Sequence, residues 1–379
     1  MPAHGIQTYS PVLRLKEGEY TALGEITSTV AERLLPLFVI PPPKERDPEF
    51  ARELTVSELA YVPGQRIGRH WPLRQCLLDP RYLFRKLGHD SASEWLPTLF
   101  RASVAAHGLP TLVSDLRTIE GKAYDGLRTV IRDVSHGLAL RITAEDIERD
   151  DLKTRIHTAL LRLAIKPSEC FLILDFGSPD FSDLPVVAEI IVASFQKVME
   201  IGLWGQVIWQ ATSYPEANPA PRGGYIELPR SEWLAWCVAS ELDADFRRSV
   251  MYGDFGADSA KFNFGTSGGA PRRHYRYSTP EKWLVPRGQD DGSVADAMRW
   301  VAEKIVRSGH FAGRMFSSGD RFISDTAHDS GKPGNPTTWR KVNTIHHLTR
   351  VVTDLGAYRG YRILERADEP APEQAPLPF

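Results

Sequence analysis

Along the chain, short apolar runs alternate with longer stretches in which apolar residues recur at helical spacing, the pattern that parallel βαβ sheets produce. Eight alternations can be traced. Strands are predicted over 9–15, 35–40, 75–78, 111–114, 137–142, 169–174, 206–210 and 249–253. The intervening helices are expected over 18–34, 47–71, 92–107, 124–134, 152–165, 184–202, 232–242 and 294–308. In the second of these, Pro63 and Gly64 are expected to interrupt the turns. The later strands are nearly all apolar, as happens when both faces of a sheet are buried. The pattern therefore predicts an α/β protein, a (β/α)8 TIM-like barrel over 1–308 with a long irregular insertion over 254–289 before its last helix. An irregular C-terminal extension over 309–365 is expected to pack on the barrel. The tail 366–379, rich in Pro, Ala and Glu, is expected to be disordered.

Composition narrows the class without choosing a function. Of 379 residues, 42% are hydrophobic and 25% charged, with no apolar run approaching the roughly 20 residues of a membrane span, so a water-soluble chain with no membrane partner is expected. Its opening residues lack the charged-then-apolar pattern of a secretion signal. Cys76, Cys170 and Cys237 are far apart and set in apolar surroundings, which reads as buried thiols in a reducing cytoplasm. A net charge of −2 gives no global attraction to nucleic acid.

Barrel geometry then selects candidate chemistry, because such enzymes build their sites where the strands end in loops. Arg14 and Lys16 follow strand one, Asp79 strand three, Asp115 strand four, Arg141 strand five, Asp175 strand six, Gln210 and Ser213 strand seven, and Asp254 strand eight. Asp79, Asp115, Asp175 and Asp254 are the candidate catalytic groups, and Asp79, Asp115, Arg141, Asp175 and Asp254 are expected on one rim. Four carboxylates there could divide acid and base roles or hold a divalent cation, with Arg14, Lys16 and Arg141 clamping an anion. Each Asp could equally cap the helix that follows its strand. Asp175 and Asp254 stand out, since Phe-Gly follows each and Gly lets a loop backbone approach a ligand.

Beyond the barrel, residues 317–350 are dense in turn formers and are expected to form a shaped loop and a helix packed on the mouth or flank. His346 and His347 are adjacent and point about 100° apart on a helix, so they cannot chelate one metal as an i, i+4 pair does. Arg340, with Trp339, Lys341 and the run Arg272 to Tyr277, supplies the basic and aromatic density that a nucleotide or nucleic acid favours.

The strings YSPVLRLKEGEYTALGEI, LPLFVIPPP, RYSTPEKWLVPRG, FSSGDRFI, GNPTTWRKVN and HHLTRVV resemble the bacterial and phage group called beta family proteins, over nearly the whole chain. The resemblance implies a bacterial or phage setting and a part in phage–host conflict and antiviral defence. Similar proteins are expected to carry an acidic residue at the end of strand two. Here Val39 stands there, so no mechanism can lean on that carboxylate.

Two functions follow. One is a hydrolase acting at the Asp- and Arg-lined mouth on a phosphoester or nucleotide-like small molecule, with Arg14, Lys16, Arg141, Gln210, Ser213, Arg340 and His346 binding substrate. The other is a non-catalytic barrel that recognises a protein or nucleic-acid partner through its C-terminal extension.

Overall fold

The computed structural model describes residues 7–42, 47, 50, 52–135, 137–262 and 272–363. Eight parallel strands close into a barrel: β1 (Tyr9–Arg14), β2 (Leu37–Val39), β3 (Gln75–Asp79), β4 (Leu109–Asp115), β5 (Leu138–Thr143), β6 (Cys170–Gly177), β7 (Gln206–Ala211) and β9 (Val250–Asp254). The last closes the ring on the first, Tyr9 lying opposite Tyr252. Side chains alternate across each strand. Val12, Leu37, Leu77, Val113, Ala139, Ile173, Ile208 and Met251 fill the inside, while Tyr9, Leu13, Leu78, Leu140, Leu172, Trp209 and Tyr252 face the surrounding helices.

Pro63 does not interrupt its helix, which runs unbroken over Val56–His70. A capping box between Thr55 and Glu58 secures its first turn, and the helix packs closely on Ala92–Ala105. A Cβ at Gly64 would lie 2.1 Å from the Leu99 carbonyl oxygen, so glycine permits that approach. The helix predicted over 18–34 is instead two, Glu17–Leu23 and Ser28–Ala31, because Thr27 caps the second.

The eighth barrel helix is not where the pattern put it. A helix does form over Val294–Val306, but its buried residues Met298, Val301 and Ile305 pack with Tyr277, Leu284, Ile323 and Trp339 in a separate cluster. The helix that covers the barrel is Pro336–Tyr358, through Leu348, Val351, Val352 and Leu355. Between them lies the helix Ser318–Ala327.

Three short antiparallel strands, unanticipated from the sequence, support this region: β8 (Gly224–Pro229), β10 (Tyr277–Ser278) and β11 (Lys282–Arg287), in the order β10-β11-β8. The first comes from the connection after β7 and the other two from the connection after β9. Part of the insertion expected over 254–289, and the tail expected to be disordered over 366–379, lie outside the described residues. Among the described residues no helix is long and apolar enough to cross a membrane.

Candidate functional site

The inward positions just above the apolar interior carry most of the predicted polar groups. Asp79 on β3 is 2% exposed. Arg141 on β5 reaches it at 2.6 Å and Asp115 on β4 at 3.3 Å, so one guanidinium holds two carboxylates. Arg81 folds back on Asp79 through Nε at 2.6 Å. Burial alone would raise the Asp79 pKa, but Arg81 and Arg141 outweigh it and hold the carboxyl below its ordinary value. Asp115 also accepts from the Thr118 backbone N–H at 2.7 Å, so it caps the helix Leu116–Glu120. An ion pair and a helix cap thus meet in one residue.

Asp175 and Gln210 face each other across the β6–β7 pairing. One Asp175 oxygen accepts from the Gly177 N–H at 3.1 Å, and Arg81 lies close enough to feel its charge. Gln210 is 0% exposed, and among the described residues neither its amide nitrogen nor its oxygen has a hydrogen-bond partner. Both halves of an amide left unmade in the interior cost free energy. Phe255 and Phe262, from the loop after β9, join the apolar interior at the mouth.

Asp254 is not on this rim. It follows the outward Tyr252 by two residues and so points away from the axis, where it accepts from the Tyr9 hydroxyl at 2.5 Å, the Gly256 N–H at 2.9 Å and His347 Nε2 at 2.9 Å. His347 Nδ1 lies 3.1 Å from Ser278 Oγ. Ser, His and Asp thus stand in line, but Ser278 and His347 are 0% and Asp254 1% exposed, so no substrate reaches them. The set joins the barrel to its closing helix.

Ser213 and His346 also make bonds within the fold. Ser213 donates to the buried Glu232 and accepts from the Ser231 N–H at 3.2 Å, securing the start of the helix Ser231–Leu242. Both nitrogens of His346 face acceptors, Asp320 at 2.9 Å and the Ser278 carbonyl at 2.7 Å, which fixes the helix Ser318–Ala327 to β10.

A different group of residues builds a cavity of about 200 Å³ at the C-terminal end of β1. Its walls include Glu19, Gly256, Asp258, Arg272, His274, Arg276, Trp339 and Arg340. Gly256 turns the loop after β9 with φ of +60°, the left-handed region, which carries Asp258 into place. Asp258 then meets three guanidinium groups: Arg14, Arg276 at 2.5 Å and Arg340 at 3.0 Å. Glu19 takes Arg340 at 2.7 Å and Arg14 at 3.5 Å.

Three buried or half-buried cations therefore share two carboxylates, with Arg272 exposed at the edge. Burial pulls the Arg14 guanidinium down to about 9, with Glu19 opposing and Arg340 and Arg276 adding to the pull. Burial likewise lowers Arg276. His274 accepts from Arg276 Nε at 3.3 Å, and burial together with Arg276 holds its pKa to about 3, so it lines the cavity as a neutral ring. Lys16 lies beyond this cavity, in the wall of a neighbouring one of about 360 Å³. Among the described residues no three His, Cys, Asp or Glu side chains are grouped to hold a metal ion, so the anticipated divalent cation finds no ligand set there.

Every one of these groups falls within residues 9–353, the span matched by the family described as Beta protein. The chain belongs to that family. The Beta protein match runs from Tyr9 on the first strand to Thr353 on the closing helix, and so takes in the barrel, the three-stranded sheet and both cavities. No curated protein matches the chain.

Four residues of this Beta protein site, Glu19, Arg81, Asp258 and Arg276, were not singled out as site residues by the sequence pattern. Arg276 lay within a basic run that was noticed. Glu19 looks like a surface residue of a short helix, and Asp258 sits among small residues with no strand to orient it.

Proposed function

We propose that this chain is a barrel enzyme that binds a phosphate-bearing small molecule at the C-terminal face and hydrolyses a phosphoester there. The observation that carries the reading is the cavity whose walls carry Arg272, Arg276 and Arg340 against Glu19 and Asp258, with Arg14 paired to both carboxylates behind them. Cations crowded out of water favour an anion, and guanidinium forks match phosphate oxygens bidentately. The first turn of the helix Pro336–Tyr358 also enters the cavity wall, adding the positive end of a long helix dipole. Asp175 is the mouth carboxylate with the fewest internal obligations, which suits an acid–base role.

The scaffold alternative draws less support, because Trp339 is buried and Arg340 turns inward to Glu19 and Asp258 rather than outward to a partner. The three cysteines are free thiols, in keeping with a reducing cytoplasm. A part in phage–host conflict belongs to the same reading and is scored by phage plating on a host carrying the gene.

The direct test is thermal stability of the full chain with inorganic phosphate, pyrophosphate and a panel of phosphoesters, alongside release of phosphate. A bound anion must raise the midpoint by mass action. Arg276→Gln should abolish the rise. If none of these anions stabilises the wild-type protein at millimolar concentration, the reading fails.

A further inference from the structure

The arginine cavity has a neighbour. Pro336 and Arg340 also belong to the wall of the second cavity, of about 360 Å³, so the two lie side by side at the start of the closing helix. Their linings differ in kind. Where the first is ringed by guanidinium groups, the second is walled by Leu15, Tyr20, Ile40, Leu54, Leu59 and Leu83. Lys16 and Glu17 stand at its edge, and Arg66 pairs with Asp47 at 2.8 and 2.5 Å deeper in.

Small-ligand sites usually occupy about 300–1,000 Å³, mostly apolar with a few converging polar groups. The first cavity, at about 200 Å³, is smaller than that and suits a phosphate-sized group alone. Joined to the second, it reaches the size of a complete ligand site.

Building on the proposed anion site, we infer that the ligand is a phosphorylated compound with an apolar or aromatic body. Its phosphate lies among Arg272, Arg276 and Arg340, its body lies against Leu54 and Leu59, and Arg340 stands at the waist between them. Burying such a body supplies binding that a bare phosphate or a phosphorylated sugar cannot obtain from these walls.

The test is calorimetric titration of the full chain with four probes: inorganic phosphate, ribose 5-phosphate, adenosine monophosphate and a prenyl phosphate. The expected result is that at least one of the last two binds about tenfold or more tightly than either of the first two. The tighter of the pair tells an aromatic body from an aliphatic one. Leu54→Glu should erase that advantage while leaving the affinity for inorganic phosphate within about twofold. Leu54→Trp, which fills the wall without charging it, should do the same and guards against a folding defect. Equal affinity for ribose 5-phosphate and the apolar-bodied probes overturns the inference, as does an advantage that survives both substitutions. Failure of every probe to bind removes the anion site itself, and is thereby distinguished from loss of the apolar half.

Discussion

His347 Nε2 lies 2.9 Å from Asp254 Oδ2, so the last barrel strand is held directly by the helix that covers it. Both side chains are buried, and removing His347 takes the imidazole from Asp254 Oδ2 and from Ser278 Oγ at once. His347→Ala should therefore cost about 3 kcal/mol or more in a denaturant unfolding experiment, in the range of broken buried pairs. A loss below about 0.5 kcal/mol, the scale of a surface substitution, would show that the contact holds nothing together.

Glu232 gives an opposite expectation. Burial raises its pKa, with Arg230 and Ser213 only partly countering. A carboxyl whose folded pKa exceeds its unfolded value binds more protons when folded, so its contribution to stability falls as pH rises from about 4.3 upward. Glu232→Gln removes that titration and can still accept from Ser213. The variant should match or exceed the wild type at neutral pH, with its relative advantage growing as pH rises above about 4.3. Denaturant midpoints for both proteins across that window decide it, and a difference that shrinks with pH contradicts the assignment.

Asp175 separates chemistry from capping. The bond it accepts from the Gly177 N–H at 3.1 Å is also available to an asparagine oxygen. Asp175→Asn should leave stability within about 0.5 kcal/mol of the wild type. Phosphoester turnover, on the substrate found with the wild type, should fall about a hundredfold or more. Full turnover in the variant would deprive the hydrolytic reading of its acid–base group.

The strands were legible because burial on both faces writes an almost continuous apolar run. The inward positions of Asp79, Asp115, Arg141, Asp175 and Gln210 also follow from strand ends, since each stands two residues beyond an inward apolar residue. Asp254 broke the expectation by a single step of the same alternation: Gly253 faces in, so Asp254 faces out. The last helix was misassigned because Val294–Val306 is as amphipathic as a barrel helix, and periodicity says which face is buried but not against what. The small sheet was illegible for a related reason. Gly224–Pro229 is mostly half-exposed and carries little apolar signal, and its partner β11 lies on the far side of β9 in sequence. Glu19, Asp258 and Arg276 come together only through tertiary folding, which no local pattern records.

That small sheet has a consequence for how the chain is made. β8 is synthesised before β9, while β10 and β11 follow it, so the sheet is a stitch passed around the final strand. Until β9 emerges, β1 has one edge with no neighbour, and an open strand edge invites pairing with other chains. Until Pro336–Tyr358 follows, the outer face of Tyr9 lacks the cover that His347 gives it. The growing polypeptide must carry these exposed surfaces through most of its translation, and long-range closure of this kind is slow. Chains cut short before the closing helix are therefore the ones that should aggregate.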